Sequence, residues 1–212
     1  MTTAVLAEIR DFEWDRGLVA AAVALKRSAV ACYRVPLPAV VAGRGSRLER
    51  EIRLENVSED GVSLFRRSGG GCSVFLDPGC AIVSAVYPEK GFGNIGRQFE
   101  RCTQWLIKGL EAIGITGVYR DGISDLVMDH AKVGGSCLKR SKDLVYFSAV
   151  LPVSCDLERM DRYLCHPPRE PAYRQGRSHT QFVRNLETVS RFLTVEDVVD
   201  GLNQYLDPDI QP

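Results

Sequence analysis

Apolar and polar residues alternate with two different spacings along the chain, and these spacings predict a few helices among many short strands. Helical spacing covers residues 13–30, residues 94–113 and the stretch from Thr194 to about Tyr205. The segment DLERMDRYL predicts one further short helix, whereas the proline-rich segment PPREPAYRQGRSH after it predicts a loop. We therefore expect three longer helices and one short helix.

Short runs rich in β-branched and aromatic residues predict the strands. Two of them form the segment ACYRVPLPAVVAGRG and end at a turn over residues 43–45, and another covers residues 62–66. Six more runs follow, namely CSVFL, CAIVSAVYP, GVYR, SDLVMD, AKVGGSCLK and LVYFSAVLPV. The sequence DPG separates the first two of these six, and DHA predicts a hairpin turn between SDLVMD and AKVGGSCLK. This mixture predicts an α+β fold, in which a mostly antiparallel mixed sheet packs against helices.

Composition narrows the class of protein. The chain has 212 residues, 45% of them hydrophobic, which suits one domain over residues 1–212 with a sizeable core. Lysine plus arginine and aspartate plus glutamate number 27 each, so the formal net charge is zero. Nucleic-acid binding needs clustered positive charge, and we expect no such partner.

The cysteines and the N-terminal segment indicate a cytoplasmic protein without a membrane anchor. The seven cysteines are scattered with no C-x-x-C pair, which favours reduced thiols over disulfides or a structural zinc site. Acidic residues stand where a signal peptide would be basic or apolar. The apolar run over residues 17–25 is too short to cross a bilayer. We assign no metal ligands.

The stretch FRRSGGGCSVFLD, residues 65–77, is the first candidate for chemistry. Glycines allow backbone N–H groups to approach a phosphate or carboxylate, and the two arginines add charge-assisted hydrogen bonds. The stretch is not a P-loop, because no G-K-[ST] follows and the next element is a strand. A flexible hairpin loop with two solvated arginines is the alternative interpretation.

Lys132 is the second candidate. It lies in an alternating apolar stretch with Gly134 and Gly135 just after it, so its ammonium can reach an acyl or phosphate group over the glycines. The alternative is an exposed lysine on the edge of a hairpin.

Taken together, the two segments resemble the lipoate–protein ligase family, within the larger group of biotin and lipoate protein ligases and octanoyltransferases. The family motif R-R-x-S-G-G-G-A-V-Y-H-D is similar to residues 66–77, and G-R-N-D-[IL]…K-[IV]-x-G-S-A is similar to residues 122–137. The segment VVAGRGS resembles the family's V-x-G-R-x-Q, and the likeness extends over roughly residues 10–205. Several positions depart from the family pattern, namely Gly69, Cys72, Leu76, Cys80, Ser124 and Cys137.

The resemblance implies the catalytic-domain fold of the biotin and lipoate ligases and a two-step reaction. ATP, with Mg²⁺, activates lipoate or octanoate to an acyl-adenylate, and the acyl group then moves to a lysine of a lipoyl carrier domain. The resemblance gives Lys132 the central catalytic role, and has Val74 and Val83 line an acyl tunnel. It implies that substrate and adenylate are bound by Arg66, Arg67, Gly69, Gly70, Gly71, Cys72, Asp77, Asp125, Val133, Gly135, Ser136 and Cys137. Arg66 and Arg67 either orient the substrate carboxylate or fix the loop.

The implied acceptor is a lipoyl carrier domain of an acyltransferase complex or a glycine-cleavage-type carrier protein. The basic stretch over residues 169–177 is either a solvated loop or a surface for docking that carrier. Many family members carry a small C-terminal accessory domain, which this sequence does not show, so a separate accessory subunit is a further possible partner.

Two alternatives stay open. Octanoyltransferases of the same superfold use a cysteine nucleophile without ATP, and Cys165, followed by His166, lies close to where one branch places it. The other alternative is a module that binds a lipoylated or adenylated partner without turnover.

Overall fold

The computed structural model describes residues 8–89, 94–141, 143–188, 193–206 and 208. The helices are α1 Arg16–Leu25, α2 Leu48–Glu51, α3 Leu54–Glu59, α4 Ile95–Ala112, α5 Leu157–Tyr163, α6 His179–Phe182 and α7 Val195–Tyr205, with 3-10 turns at Ala172–Arg174 and Leu186–Thr188. The strands are β1 Ile9–Asp11, β2 Ala29–Arg34, β3 Ala39–Ala42, β4 Ser63–Arg66, β5 Val74–Leu76, β6 Cys80–Pro88, β7 Tyr119–Asp121, β8 Asp125–Met128, β9 Ala131–Ser141 and β10 Leu144–Pro152.

The larger sheet has six strands in the order β2-β6-β10-β9-β8-β7, and every neighbouring pair is antiparallel. The pairing brings Ser84 of β6 beside Ser148 of β10, and Ser148 beside Cys137 of β9. These three side chains therefore share one face of the sheet, because directly paired residues point to the same side.

The smaller sheet has four strands in the order β1-β4-β3-β5. Here β4 runs parallel to both β1 and β3, while β5 is antiparallel to β3. The parallel pairing of β3 with β4 needs a crossover, and α2 and α3 supply it. The sheets together form the mixed, mostly antiparallel α+β fold that the sequence predicts.

Hydrophobic side chains fill the space on both sides of the larger sheet. On one face Phe147 and Val83 pack with Leu106 of α4 and Leu202 of α7. The opposite face contributes Ile82 to a second core, which includes residues of the smaller sheet such as Phe75. The larger sheet thus lies between a helical layer and the smaller sheet, and the candidate chemistry lies on the side of the smaller sheet.

Most predicted elements are confirmed. The helix predicted over 94–113 is α4, and the helix predicted from Thr194 is α7, where the Thr194 side chain accepts a hydrogen bond from Asp197 N–H in a capping box. The hairpin around DHA joins β8 to β9. DLERMDRYL forms α5, residues 167–178 are irregular apart from one 3-10 turn, and α6 begins at His179.

The first predicted helix is too long. The helix α1 ends at Leu25, where Lys26 adopts a left-handed conformation, and strand β2 begins at Ala29. Cys32 and its neighbours pair with β6 in the larger sheet, and this pairing overrides the helical tendency of the alanine-rich segment. No helix in the described ranges is both long and apolar enough to cross a membrane.

Candidate active site

An ion pair between Lys132 and Asp125 forms the centre of the candidate site. Lys132 Nζ lies 2.7 Å from Asp125 Oδ1, which reaches it from the neighbouring strand β8. A register shift between Leu126 and Val127 interrupts this hairpin. Both side chains are mostly shielded from solvent, at 28% and 11% exposure, so their attraction is stronger than that of a surface pair. The lysine is therefore held in one place as a cation.

Gly135 provides the space for the lysine side chain. A Cβ atom on Gly135 would lie 2.9 Å from Lys132 Cε and 3.0 Å from Nζ. Any side chain at this position would push the ammonium away from Asp125. A glycine three residues after the lysine is therefore required for the lysine side chain to reach Asp125.

Tyr173, which the sequence reasoning missed, holds the other oxygen of Asp125. Its hydroxyl donates to Asp125 Oδ2 at 2.9 Å. Burial, followed by the negative charge of Asp125, raises the pKa of Tyr173 well above its usual value. The phenol therefore keeps its proton, and the bond ties the segment 169–178 to the ion pair.

Arg174, next in the chain, carries a polar group without a partner. Its side chain is 4% exposed, and its Cζ lies 4.8 Å from the centroid of the Phe182 ring. Its Nε donates a hydrogen bond to Arg177 O at 2.9 Å. Its Nη2 is buried without a hydrogen-bond partner among the described residues. Burial lowers the pKa of Arg174, and the carboxylates of Glu170 and Asp125 oppose that effect. A buried guanidinium with a free donor is suited to binding an anion.

Arg66 binds the backbone of the turn after β3. Its Nη1 donates to Gly43 O at 2.9 Å and to Ser46 O at 3.2 Å. The sequence left two roles open for this arginine, orienting a carboxylate or fixing a loop. Its contacts here are those of an arginine that fixes a loop.

Arg67 holds the glycine loop, which we define as residues 69–71. Its Nη2 donates to Gly70 O and Cys72 O, both at 2.8 Å, and Nη1 donates to Val41 O at 3.1 Å. These bonds satisfy backbone carbonyls of an irregular segment. Arg67 therefore gives the glycine loop its shape, as Arg66 does for the neighbouring turn.

Glu51 is a second anchor of the loop that the sequence reasoning missed. Its Oε2 accepts hydrogen bonds from Ser46 Oγ and Ser73 N, both at 2.7 Å. Burial by itself would raise the pKa of Glu51, but these bonds outweigh burial and lower it. A side chain on Gly43 would collide with the carbonyl oxygen of Gly71, which has a φ of +91°. The turn and the loop thus pack backbone against backbone, which requires glycine.

The glycine loop lies directly on strand β9. A Cβ on Gly69 would be 2.9 Å from Cys137 Sγ. Burial raises the pKa of Cys137, although the positive charge of Arg67 acts in the opposite direction. Cys137 is therefore a neutral thiol beneath the loop, and the same face of β9 continues through Gly135 to Lys132.

Three of the residues predicted to bind substrate or adenylate make contacts within the protein fold. Asp77 accepts from Gly79 N and Asp156 N, each at 2.8 Å, and so holds the DPG turn and the start of α5. Val133 is fully buried in the core under the helices, as is Val83. Ser136 Oγ donates to Ser124 O at 3.0 Å.

Within the described ranges, Cys165 has no histidine as a hydrogen-bond partner. Nδ1 of His179 is 2.8 Å from Asp161 Oδ1, and Nε2 of His166 is 2.9 Å from Glu170 Oε2. Among the described residues, no hydrogen bond joins either ring to the Cys165 thiol. The base that would activate a cysteine nucleophile is thus not provided by these contacts.

The donor groups suit magnesium only in combination with phosphates. Asp125 is the carboxylate at the centre of the site, and Mg²⁺ is commonly held by one or two carboxylates plus substrate phosphates. The one three-residue cluster of potential metal ligands found among the described residues is Asp77, Cys80 and Cys155. Its two thiols suit softer metals than magnesium.

Comparisons with known proteins identify the family of this chain. The chain is 30% identical over 169 residues to a lipoate–protein ligase of Streptococcus pyogenes serotype M5 (strain Manfredo), covering 77% of this chain and 48% of that protein. The chain spans about half the length or less of the curated relatives it matches.

Two solved structures share the fold. One is a bipartite lipoate protein ligase and its E2 lipoyl domain from Thermoplasma acidophilum, with a TM-score of 0.73, 19% identity, and coverage of 93% of this chain and 79% of that chain. The other is a lipoate-protein ligase A bound with ATP, with a TM-score of 0.71, 18% identity, and coverage of 93% and 83%. The family model of the lipoyl protein ligase A/B catalytic domain matches residues 10–207. Since that match spans nearly the whole sequence, this chain belongs to the lipoyl protein ligase A/B catalytic-domain family.

Proposed function

We propose that this chain is the catalytic domain of a lipoate–protein ligase. It activates lipoate or octanoate with ATP to an acyl-adenylate, and it transfers the acyl group to a lysine of a lipoyl carrier domain. The observation that carries the proposal is Lys132, a cation held by Asp125 in the space left by Gly135, next to the glycine loop.

In the first step, a carboxylate oxygen of the acid attacks the α-phosphorus of ATP and pyrophosphate leaves. Negative charge gathers on the α-phosphate oxygens, and Lys132 Nζ provides a positioned cation for them. The Nη2 of Arg174 is a second donor for a phosphate oxygen, because it is buried and has no other hydrogen-bond partner in the part of the chain that the structure describes. Magnesium bound with the phosphates would neutralise part of their charge and favour the departure of pyrophosphate.

In the second step, the neutral amine of the carrier lysine attacks the acyl carbonyl, AMP leaves with the bonding electrons, and the nitrogen releases its extra proton to water. The same ammonium of Lys132 stabilises the oxyanion that develops on the carbonyl. Asp125 keeps that ammonium in place, and Tyr173 keeps Asp125 in place. The glycine loop has no side chains, so its backbone can approach the reacting groups closely and exclude water from them.

The proposed acceptor is a lipoyl domain of an acyltransferase complex or a glycine-cleavage-type carrier. The structurally similar protein from Thermoplasma acidophilum is described as a bipartite lipoate protein ligase with its E2 lipoyl domain, which supports both a lipoyl domain and a separate accessory subunit as partners. All seven cysteines are free, which is consistent with the cytoplasm as the proposed location.

Pyrophosphate release tests the first step. With ATP, Mg²⁺ and lipoate, the purified chain should release pyrophosphate, and Lys132→Ala should reduce the rate by about 10²–10³-fold. Lys108→Ala on α4 is the matched control, because Lys108 is an exposed lysine of another element. Equal rates for Lys132→Ala and Lys108→Ala would refute the role of Lys132.

A further inference from the structure

Two buried thiols and a buried carboxylate converge where β6 begins and β10 ends. Asp77 directly follows β5, Cys80 is the first residue of β6, and Cys155 lies three residues after the end of β10. Their exposed fractions are 6%, 1% and 4%. A carboxylate oxygen and the two sulfur atoms all lie within 4.8 Å of one another. We call these three residues the thiol cluster, which the pairing of β6 with β10 assembles without any C-x-x-C spacing.

Backbone contacts hold the thiol cluster in place. The amides of Val153 and Ser154 both donate to Gly79 O at 2.9 Å, so the turn before β6 lies directly against the chain that leaves β10. A Cβ atom on Gly79 would be 2.2 Å from the Ser154 carbonyl oxygen. Asn185 fixes Cys155, because its Oδ1 accepts from Cys155 N at 3.1 Å and its Nδ2 donates to Cys155 O at 2.8 Å. The ligand atoms are thus positioned by packed backbone, as a preorganised metal site requires.

The thiol cluster combines a carboxylate with two acidic thiols. Asp77 accepts from two neutral amides, Gly79 N and Asp156 N, at 2.8 Å each, and from the Cys80 thiol at 3.7 Å. Hydrogen bonding to Cys80, then burial and the charge of Asp77, raise the pKa of the Cys155 thiol. A divalent cation would stabilise this environment, because it would neutralise the buried carboxylate and replace the thiol protons.

Arg159, the cation of α5 near this carboxylate, is directed elsewhere. Its Nη2 and Nε donate to the Tyr163 hydroxyl at 3.0 Å and 3.2 Å. That hydrogen bond is the main cause that raises the pKa of Arg159, and the charge of Asp77 adds less. None of the ion pairs found among the described residues includes Asp77. The carboxylate is therefore available to a metal ion.

Zinc is the ion that these ligands fit best. Thiolates favour zinc and softer metals over magnesium, and an aspartate oxygen is also a zinc ligand. Ligand atoms at about 2.0–2.3 Å from a tetrahedral zinc ion are roughly 3.3–3.8 Å apart, so the thiol cluster would have to contract by at most about 1.5 Å. The two amides use only part of the acceptor capacity of Asp77. Water would be the fourth ligand, as in zinc sites with three protein ligands.

We propose that the thiol cluster binds a zinc ion, which joins the turn before β6 to the end of β10. Each thiol loses its proton to solvent and its sulfur forms a bond to the ion, so nothing is oxidised or reduced. The junction continues through Asn185 to Arg184, whose N–H donates to the Lys132 carbonyl oxygen at 2.8 Å. The ion is structural, and it stabilises the segment that supports the Lys132 backbone. This inference does not depend on the ligase reaction.

A cobalt titration of the purified full chain tests the site, because Co²⁺ occupies zinc sites and absorbs strongly when thiolates bind it. The chain is first stripped of metal with a chelator and kept in a phosphine reductant, so that no disulfide forms. We expect one Co²⁺ per chain with a thiolate-to-cobalt charge-transfer band, which zinc should abolish by displacement. Cys80→Ser and Cys155→Ser should each weaken Co²⁺ binding by about 100-fold or more, because even residues that only orient a ligand contribute about 10–100-fold.

Cys32→Ala is the matched control and should keep the band, because Cys32 is a buried cysteine of the core under the helices. Asp77→Asn keeps an oxygen that can accept from the two amides but lacks the charge, and should weaken Co²⁺ binding by about tenfold or more. Circular dichroism verifies that each variant is folded. The absence of a band in excess Co²⁺ would overturn the inference, and so would a band that persists in both serine variants.

Thermal unfolding of the unmodified chain gives a second measurement, which needs no variant to fold. Zinc that binds the folded chain should raise the midpoint of unfolding progressively with its free concentration. A midpoint that zinc leaves unchanged or lowers would overturn the structural role of the ion.

Discussion

Replacing Gly135 by alanine should reduce activity by about 10²-fold or more with little effect on the fold. The added methyl group would lie 2.9 Å from Lys132 Cε and 3.0 Å from Nζ, which are the far end of a flexible side chain. Gly135 is not one of the glycines with a positive φ, so alanine can adopt its backbone conformation. The lysine can rotate away at small cost in stability, but its ammonium then leaves Asp125 Oδ1.

The size of the effect follows from the role of the lysine. Removing one positioned donor from a developing oxyanion costs about 10²–10³ in rate, or about 2.7–4 kcal/mol. The pair is better shielded than a surface pair, but the displaced ammonium can reach water and Asp125 keeps its bond to Tyr173, so separating the pair should lower the free energy of unfolding by about 1 kcal/mol. We therefore expect Gly135→Ala to lose about 10²-fold or more in pyrophosphate release, with a stability loss of only about 1 kcal/mol.

Gly134→Ala provides the matched comparison. Its methyl group would meet Leu126 Cδ1 at 2.9 Å, Leu151 Cδ2 at 3.0 Å and the carbonyl oxygen of Val150 at 3.2 Å. These are core and backbone atoms, so overpacking should cost about 1–3 kcal/mol of stability. The rate per folded molecule should stay close to that of the unmodified chain.

The assay combines pyrophosphate release with urea unfolding for both variants. We predict low activity and a stability loss of about 1 kcal/mol for Gly135→Ala, and normal activity per folded molecule with a stability loss of about 1–3 kcal/mol for Gly134→Ala. A fully active Gly135→Ala variant would refute the reasoning that the glycine exists to seat Lys132. A large loss of stability in that variant would show that the contact is structural.

Three further predictions concern other parts of the site. The folded-state pKa of Glu51 is below its unfolded value of 4.5, so the stability that Glu51 contributes is present above pH 4.5 and is lost as the pH falls through the folded-state pKa. The Glu51→Gln variant should therefore be less stable than the unmodified chain at neutral pH. In urea titrations between acidic and neutral pH, its stability should also depend less on pH. Arg174→Lys should raise the KM for ATP by about tenfold, because the variant lacks the Nη2 donor. An unchanged KM in steady-state pyrophosphate assays would contradict the role of Arg174 in phosphate binding. Cys165→Ser should leave ATP-dependent transfer within about twofold of the unmodified rate, because neither His166 nor His179 is bonded to that thiol, and loss of transfer would favour a cysteine nucleophile.

Local patterns predicted much of the fold because many elements are specified by adjacent residues. The spacing of α4, the capping residue Thr194 and the hairpin turn between β8 and β9 were readable from the sequence. The division into two sheets was not. CSVFL and CAIVSAVYP flank one turn, yet β5 joins the smaller sheet and β6 the larger one. Partners that lie far apart in the chain determine that division.

The same distinction applies to the site. Lys132, Gly135 and Asp125 lie within eleven residues of one another, so their motif was visible. Tyr173 reaches Asp125 across 48 positions, and Glu51 binds Ser73 across 22 positions. No local spacing marks such contacts.

The most direct test of the central claim is the intact mass of a lipoyl carrier domain after incubation with the purified chain. One reaction contains ATP, Mg²⁺ and lipoate, and a second contains octanoyl-acyl carrier protein without ATP. We predict a mass gain of one lipoyl group in the first reaction only, abolished by Lys132→Ala and retained by Lys108→Ala. A gain only in the second reaction would contradict ATP-dependent ligation, and a gain with Lys132→Ala equal to that of the unmodified chain would contradict the role of the lysine.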